Sequence, residues 1–448
     1  MVGIGNLWEL MFTPVAELEI KRFKKYGKLY GVFEGNRPVL KVGDPALVKE
    51  ILQRESDVFP TRRDVSNAKH PIVDLIIGKR GDEWRRMRST ASPKTTGQLR
   101  ALYPLIRQSL AELLTSITAH VTHNKGNSLD INDWFERYAI DVLARTLFDT
   151  NTNAYTDPND PFLVNARRVY RPPLWKIVVT LLVPTRALNA LNIKTETNDR
   201  AVDFFYEISQ NLLKRRKEDN KSVSSGLKST GHELLSDNEL ISQLFASLNG
   251  GFASVASALA FCCHELALNA DIQDRLHREV TDGLPPIDAD GDHNNYDLVL
   301  KLPFLDAVVA ETMRLHGPSL RPSRVTGKDY RLADTGLTLE RGLIVEISAY
   351  AMQRSDELFP LADQFIPDRF AADNRHQILP FTYNPYGTGP RGCVGQTFAQ
   401  LVMKSAIAYL VRRFRFSMCA DTQLPVPLTK YIRIQLAETV YLAVEPRD

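Results

Sequence analysis

Cysteine is scarce in this chain. Its 448 residues hold four, Cys262, Cys263, Cys393 and Cys419. Neither their number nor their spacing suits a disulfide framework or a paired-cysteine zinc site, so reduced thiols are expected. A long apolar run is lacking too. No stretch reaches the roughly 18 consecutive apolar residues of a membrane-spanning helix, and the opening MVGIGNLWELMF has no signal-peptide layout. Charge of one sign is also lacking: 56 Lys and Arg against 53 Asp and Glu leave +3. That does not argue for nucleic-acid binding, which needs a clustered basic face, and no nucleic-acid partner is expected. The acidic DADGD at 288–292 fails as a calcium loop, because its glycine is fourth instead of sixth and Val299 stands at position twelve. No internal repeat is visible. A composition of 44% hydrophobic and 24% charged residues remains, that of a globular protein with a large core.

The pattern that is present is mostly helical. Residues 28–43 read as a hairpin around Gly35-Asn36, and Asp44-Pro45 opens a short helix as N-cap and first residue. From about residue 98 the periodicity is helical. Residues 172–193 are strongly apolar with prolines on both sides, suiting a buried connection or a surface that touches membrane or ligand. Residues 214–232, charged and Ser/Gly-rich, read as a surface loop. Ser236 and Glu239 then form a capping box that starts a helix to about Asn269, roughly 50 Å long. Gly250-Gly251 sits in its middle, where a kink or a closely packed ligand would account for two poor helix formers.

The stretch YGTGPRGCVG, Tyr386 to Gly395, carries most of the chemistry. Its G-x-G-x-x-G is not a dinucleotide loop, because proline interrupts it and no acidic residue follows at the required distance. A metal-binding cysteine is a thiolate. Glycines that turn the backbone tightly, and a helix opening near Val394, place N–H groups and a positive dipole end beside it. Arg391 stands ready for an anionic cofactor group. One cysteine without a partner suits haem iron better than zinc or an iron–sulfur cluster.

That stretch resembles the haem-binding loop of the cytochrome P450 superfamily: an aromatic, two residues, Gly, one, Arg, one, Cys, one, Gly. Tyr386, Gly389, Arg391, Cys393 and Gly395 fill it, with Tyr for the usual Phe. Further matches are Glu311-x-x-Arg314 with Arg369 of FIPDRF, a structural ion cluster, and Trp84-x-x-x-Arg88, with Arg62 and Arg324 as further contacts to the haem propionates. The resemblance implies a mainly α fold, a large helical domain around haem b with a small β-rich part formed by the hairpin and strands between about 315 and 350, and one domain over residues 1–448. It also implies Cys393 as the iron ligand, and electrons from NADPH through NADPH–cytochrome P450 reductase. Arg412 and Arg413 are candidates for the reductase face, although a solvated helix surface explains either. An apolar substrate would meet Phe252, Ser319 and Leu320. RFKKYGKLYGVFEGNRPVL, ELALNADIQDRL and PFTYNPYGTGPRGC look like the microsomal branch, which implies the cytoplasmic face of the endoplasmic reticulum membrane, with 172–193 touching the membrane surface. Relatives begin with an anchor helix. GIGNLWELM resembles the segment after it, so the anchor is expected to be missing from the sequence as given.

One departure stands out. Family members usually carry Ala/Gly-Gly-x-Glu/Asp-Thr on the central helix, where the acid and alcohol deliver protons. Here the run is Gly250-Gly251-Phe252-Ala253-Ser254. The acid is alanine, the alcohol survives as Ser254, and Gly251 is expected to open the helix beside the iron. The leading expectation is a monooxygenase with a modified relay. Two alternatives stay open: a haem-thiolate isomerase of lipid endoperoxides or hydroperoxides, resembling thromboxane synthase, and a non-catalytic haem-binding paralogue.

Overall fold

A computed structural model describes residues 5–63, 76, 78–91, 96–123, 128–170, 199–218, 235–287, 295–429 and 434–447. The apolar segment 172–193, loop residues 219–232 and acidic residues 288–294 lie outside them.

In chain order the elements are α1 (Val15–Tyr26), β1 (Leu29–Glu34), β2 (Arg37–Val42), α2 (Pro45–Lys49), α3 (Gly81–Thr90), α4 (Thr96–His123), β3 (Leu129–Asp130), α5 (Ile131–Leu147), α6 (Pro161–Val169), α7 (Asp199–Glu218), α8 (Asp237–Leu268), α9 (Ala270–Gly283), α10 (Tyr296–Leu300), α11 (Pro303–His316), β4 (Ser323–Val325), β5 (Tyr330–Arg331), β6 (Thr338–Leu339), β7 (Ile344–Ile347), α12 (Ala349–Gln353), α13 (Gln396–Arg413), β8 (Phe414–Ser417) and β9 (Tyr441–Pro446). The fold is mainly α, with a small β-rich part. Its four-stranded sheet runs β1-β2-β7-β4. The expected hairpin pairs β1 with β2 antiparallel, β2 continues parallel to β7 with Val39 opposite Ile344, and β4 returns antiparallel. Asp44 caps α2, accepting from the Ala46 and Leu47 N–H groups at 2.9 and 3.1 Å.

The main core is helical. Ile106 and Leu110 of α4, Tyr138 and Leu143 of α5, Phe252 and Phe261 of α8, Leu305 of α11 and Ile407 of α13 pack in one apolar cluster. Helix α8 runs through it. Ser236 and Glu239 close the capping box, with the Ser236 N–H donating to Glu239 Oε2 at 2.9 Å and the Glu239 N–H to Ser236 Oγ at 3.4 Å. The helix is long and apolar enough to cross a bilayer, yet 72% of its most apolar window is buried inside the protein, which makes it the core helix of this fold. It is one continuous α-helix through Gly250-Gly251, where the sequence suggests a kink or a closely packed ligand. Gly251 has a packing reason instead: a Cβ there would lie 3.1 Å from Leu143 Cδ2, so glycine lets α8 and α5 approach closely.

A buried ion network ties α1 to the sheet. Lys41 Nζ, fully buried, lies 2.7 Å from Glu19 Oε1 and 2.7 Å from Glu346 Oε2. Arg321 meets Glu34 at 2.7 Å, and Arg63 bridges Glu34 and Glu346. Three carboxylates and three cations therefore share one site. Burial alone would raise the Glu346 carboxyl, but Lys41, Arg321 and Arg63 outweigh it and hold it down to about 2. Its folded value lies below the ordinary 4.5. Its contribution is therefore present above that value and lost as pH falls towards 2. Lys41→Met takes the nearest cation from two buried carboxylates, leaving Glu19 only Arg321 at 3.8 Å, and should destabilise the protein by about 3 kcal/mol in urea unfolding. Lys21→Met, which breaks only the exposed 3.7 Å pair with Glu17, should change stability by less than about 0.5 kcal/mol.

Candidate functional site

The loop before α13 places Cys393 at the surface of its surroundings. Cys262 and Cys263 are buried, and burial pushes the Cys262 thiol up to about 12, the behaviour of inert core cysteines. Cys393 is exposed. Its N–H donates to the Tyr386 carbonyl at 2.8 Å, and the Gly392 N–H to the Gly389 carbonyl at 2.9 Å. Gly389 has φ +78°, and a Cβ there would overlap the Leu52 carbonyl. Only glycine fits both conditions. Helix α13 begins at Gln396, two residues beyond the expected Val394.

Four of the expected arginines gather around this cysteine. Arg62 Nη2 donates to the Arg391 carbonyl at 2.6 Å, and Arg391 Nη2 to the Lys79 carbonyl at 2.8 Å. The Arg391 guanidinium lies over the Trp84 ring, 4.3 Å from its centroid. Trp84 thus supports Arg391 through a cation–π contact. Burial lowers Arg62 and Arg88, and in each the nearby Cys393 works the other way. Burial, then Arg62 and Arg391, bring Arg324 down to about 9. Burial, then Arg62, Arg80 and Arg88, bring Arg391 down to about 10. Among the described residues no carboxylate pairs with Arg62, Arg88, Arg324 or Arg391, and Arg391 Nε is buried without a hydrogen-bond partner. Buried like charges of this kind are matched to an anion. Arg80 was not singled out from the sequence. It directly precedes α3, two residues after Gly78, and only its spatial neighbours reveal its membership.

Glu311, Arg314 and Arg369 also come together. Glu311 and Arg314 are wholly buried and bidentate, at 2.7 and 2.8 Å, and Arg369 Nε lies 3.3 Å from Glu311. Arg314 further donates to the Gln353, Ala362 and Gln364 carbonyls. A second relay leads to the cysteine loop: Gln353 Nε2 donates to the Arg314 carbonyl at 2.9 Å, and the Asn384 N–H to Gln353 Oε1 at 2.8 Å. The ion cluster therefore anchors the chain two residues before Tyr386.

The remaining candidates are more dispersed. A Cβ built on Gly250 meets nothing within 4 Å, so Gly250, and not Gly251, presents open space. Ser254, one helical turn on, shares that face, and its Oγ donates to the Gly250 carbonyl. Phe252 is 1% exposed and packs on Tyr170, about 200° around the helix from Gly250 by helical geometry. Leu320 is enclosed with Val15, Ala16 and Tyr350 in a small apolar cluster, because α1 covers it. Ser319 bridges to Ile434. Arg412 is spent on the end of α9, donating to the Val280, Thr281 and Leu284 carbonyls. That makes it a helix cap and not a docking charge.

An exposed thiol facing a set of anion-seeking guanidiniums defines a haem-thiolate class of protein, and the comparisons agree. Residues 4–441 match the cytochrome P450 family, and the chain belongs to it. Cytochrome P450 3A12 of Canis lupus familiaris is 30% identical, over 96% of this chain and 87% of that protein. Cytochrome P450 3A11 of Mus musculus is 31% identical with the same coverage. Cytochrome P450 3A9 of Rattus norvegicus is 31% identical over 95% of this chain and 86% of its own length. The protein is a haem-thiolate monooxygenase with haem b as cofactor. The residues fit that group: its two carboxylates answer the unpaired guanidiniums and the orphaned Arg391 Nε, and its iron answers Cys393.

Two outcomes follow. Arg324→Met should weaken haem retention by about tenfold or more, since a charge-assisted hydrogen bond is worth about 1.5–3 kcal/mol. It should also raise the melting temperature of the haem-free protein, because it relieves repulsion. Haem transfer to a scavenger protein and calorimetry of the apoprotein check the two signs. Glu311→Gln leaves Arg314 buried with a weakened partner and should cost about 3–5 kcal/mol of stability, with haem lost in parallel, measured by thermal unfolding followed in the visible band.

Proposed function

We propose that this monooxygenase inserts one atom of dioxygen into an apolar organic substrate, a lipid, steroid or xenobiotic, acting as one domain over residues 1–448. Electrons pass from NADPH through NADPH–cytochrome P450 reductase. The observation that carries the reading is the exposed Cys393 thiol faced by Arg62, Arg88, Arg324 and Arg391, none of them paired with a carboxylate among the described residues. When bound, haem supplies a thiolate-ligated iron at which dioxygen is cleaved, the thiolate favouring O–O scission. The chain's own residues do the rest. Cys393 is the ligand, held by a loop that the Glu311–Arg314 cluster steadies. The arginines orient the carboxylate edge of the cofactor. Gly250 leaves room along α8. Ser254 Oγ, with its proton on the Gly250 carbonyl, keeps lone pairs that can accept a proton and pass one on. We place the enzyme at the cytoplasmic face of the endoplasmic reticulum membrane, with the apolar segment 172–193 against the membrane surface.

Ala253 supports a second reading, rearrangement of a lipid endoperoxide or hydroperoxide, which needs no relay acid. The test follows oxygen consumed against hydroxylated product, with haem-loaded protein, NADPH, the reductase and a broad apolar substrate. Coupled consumption, with Ser254→Ala lowering the product-to-oxygen ratio several-fold, supports oxygen insertion. Absence of product, with rapid rearrangement of a lipid hydroperoxide that Ser254→Ala leaves untouched, establishes the second reading. Inertness in both assays leaves a non-catalytic haem protein.

A further inference from the structure

Two of the anion-seeking arginines stand directly opposite one another. Thr61 bridges Val325 antiparallel, the Val325 N–H donating to the Thr61 carbonyl at 2.9 Å. That register sets Arg62 opposite Arg324 and Arg63 opposite Ser323, and the Arg63 N–H donates to Ser323 Oγ at 3.3 Å. The sheet extends both rows. Ser323 pairs with Glu346 and Glu346 with Lys41, while Arg324 pairs with Val345 and Val345 with Leu40. Successive strand residues point to opposite faces. Arg62 and Arg324 therefore share one face, and Arg63, Glu346 and Lys41 share the other.

Like charges directly opposite on paired strands oppose the pairing. Here the opposition is strong, because Arg324 is only 4% exposed and Arg62 is among the charges that bring it down. The other face supplies what holds the two segments together. Arg63 Nη1 binds Glu34 Oε2 and lies 3.2 Å from Glu346 Oε1. Arg321, two residues before β4, takes the second oxygen of each carboxylate, Glu34 Oε1 at 2.7 Å and Glu346 Oε2 at 3.4 Å. Each carboxylate thus bridges one arginine from either segment, with one oxygen for each. Glu34, Glu346 and Arg321 are all buried or nearly so, so salt screens these pairs little.

We propose that this carboxylate bridge is a clamp that preforms the cofactor's anion site: Glu34 and Glu346 draw Arg63 towards Arg321 and so hold the Arg62 guanidinium beside Arg324. The proposal rests on the reading that Arg62 and Arg324 hold the carboxylates of haem. Arg63 points to the opposite face from Arg62, so it is a positioning residue that acts through its neighbour. The clamp maintains the repulsion in the haem-free protein, and the carboxylates of a bound haem relieve it. Because Arg62 is already in place, less order is lost on binding.

The test measures the rate of haem loss to a scavenger protein from the haem-loaded full chain. Arg63→Met should speed haem loss several-fold. Arg63→Lys should restore most of the retention, because Arg63 reaches both carboxylates through Nη1 alone. Arg145→Met is the control. It breaks a buried pair with Asp141 within α5, at 2.7 Å, and its destabilisation should leave haem loss near the wild-type rate. In an Arg62→Met background, Arg63→Met should add nothing further, since the residue it positions is gone. A second measurement needs no haem. In calorimetry of the haem-free protein, the rise in melting temperature from Arg324→Met should shrink in an Arg63→Met background, where the two segments can part and relieve the repulsion themselves. Haem loss no faster in Arg63→Met than in Arg145→Met, or effects of Arg62→Met and Arg63→Met that simply multiply, overturn the clamp. So does an Arg324→Met gain that Arg63→Met leaves unchanged. Failure of the underlying reading is distinct: Arg62→Met and Arg324→Met would then leave haem loss unchanged.

Discussion

Like-charge repulsion among buried guanidiniums is the constraint on which the functional site depends. Arg324 and Arg391 are brought down to about 9 and 10 by burial and by one another's neighbours. A chain that folded only for its own sake would not gather Arg62, Arg88, Arg324 and Arg391 on one side of an exposed cysteine. The arrangement is stable when a dianionic edge sits among them. The carboxylates of a bound haem would be held by these arginines, and Cys393 would be its iron ligand. Cofactor orientation thus follows from charge, and ligation from the loop.

Two other charge clusters behave in the opposite way. Lys41 with Glu19 and Glu346, and Glu311 with Arg314 and Arg369, are complete within the protein. They hold α1 to the sheet, and α11 to the segment that enters the cysteine loop. Self-satisfied clusters build the frame, and the unsatisfied one binds. Together with Gly389, which fits where no side chain does, they fix the loop before any cofactor arrives.

Much of this was legible in the sequence because it is local. The hairpin at Gly35, the Asp44 cap and the Ser236–Glu239 capping box each depend on a few adjacent residues, and all three formed. Cys393, Arg391 and Tyr386 share one loop, so their spacing sufficed. Contacts made across the fold were not legible. The role of Gly251 is set by Leu143, more than a hundred residues away in sequence, and α1 closes over Leu320. Arg412 looked like a surface charge until the end of α9 came against it. The place of Arg80 beside Arg391 depends on tertiary packing that no spacing encodes.

The central claim is that Cys393 is the thiolate ligand of a haem seated by these arginines. The most direct measurement is the absorption spectrum of the reduced, carbon-monoxide-treated, haem-loaded protein, wild type against Cys393→Ala. The account predicts the strongly red-shifted thiolate band in the wild type and its complete loss in the variant, with the arginine cluster still retaining some haem. A variant that keeps the thiolate band, or a wild type that lacks it, would contradict the account.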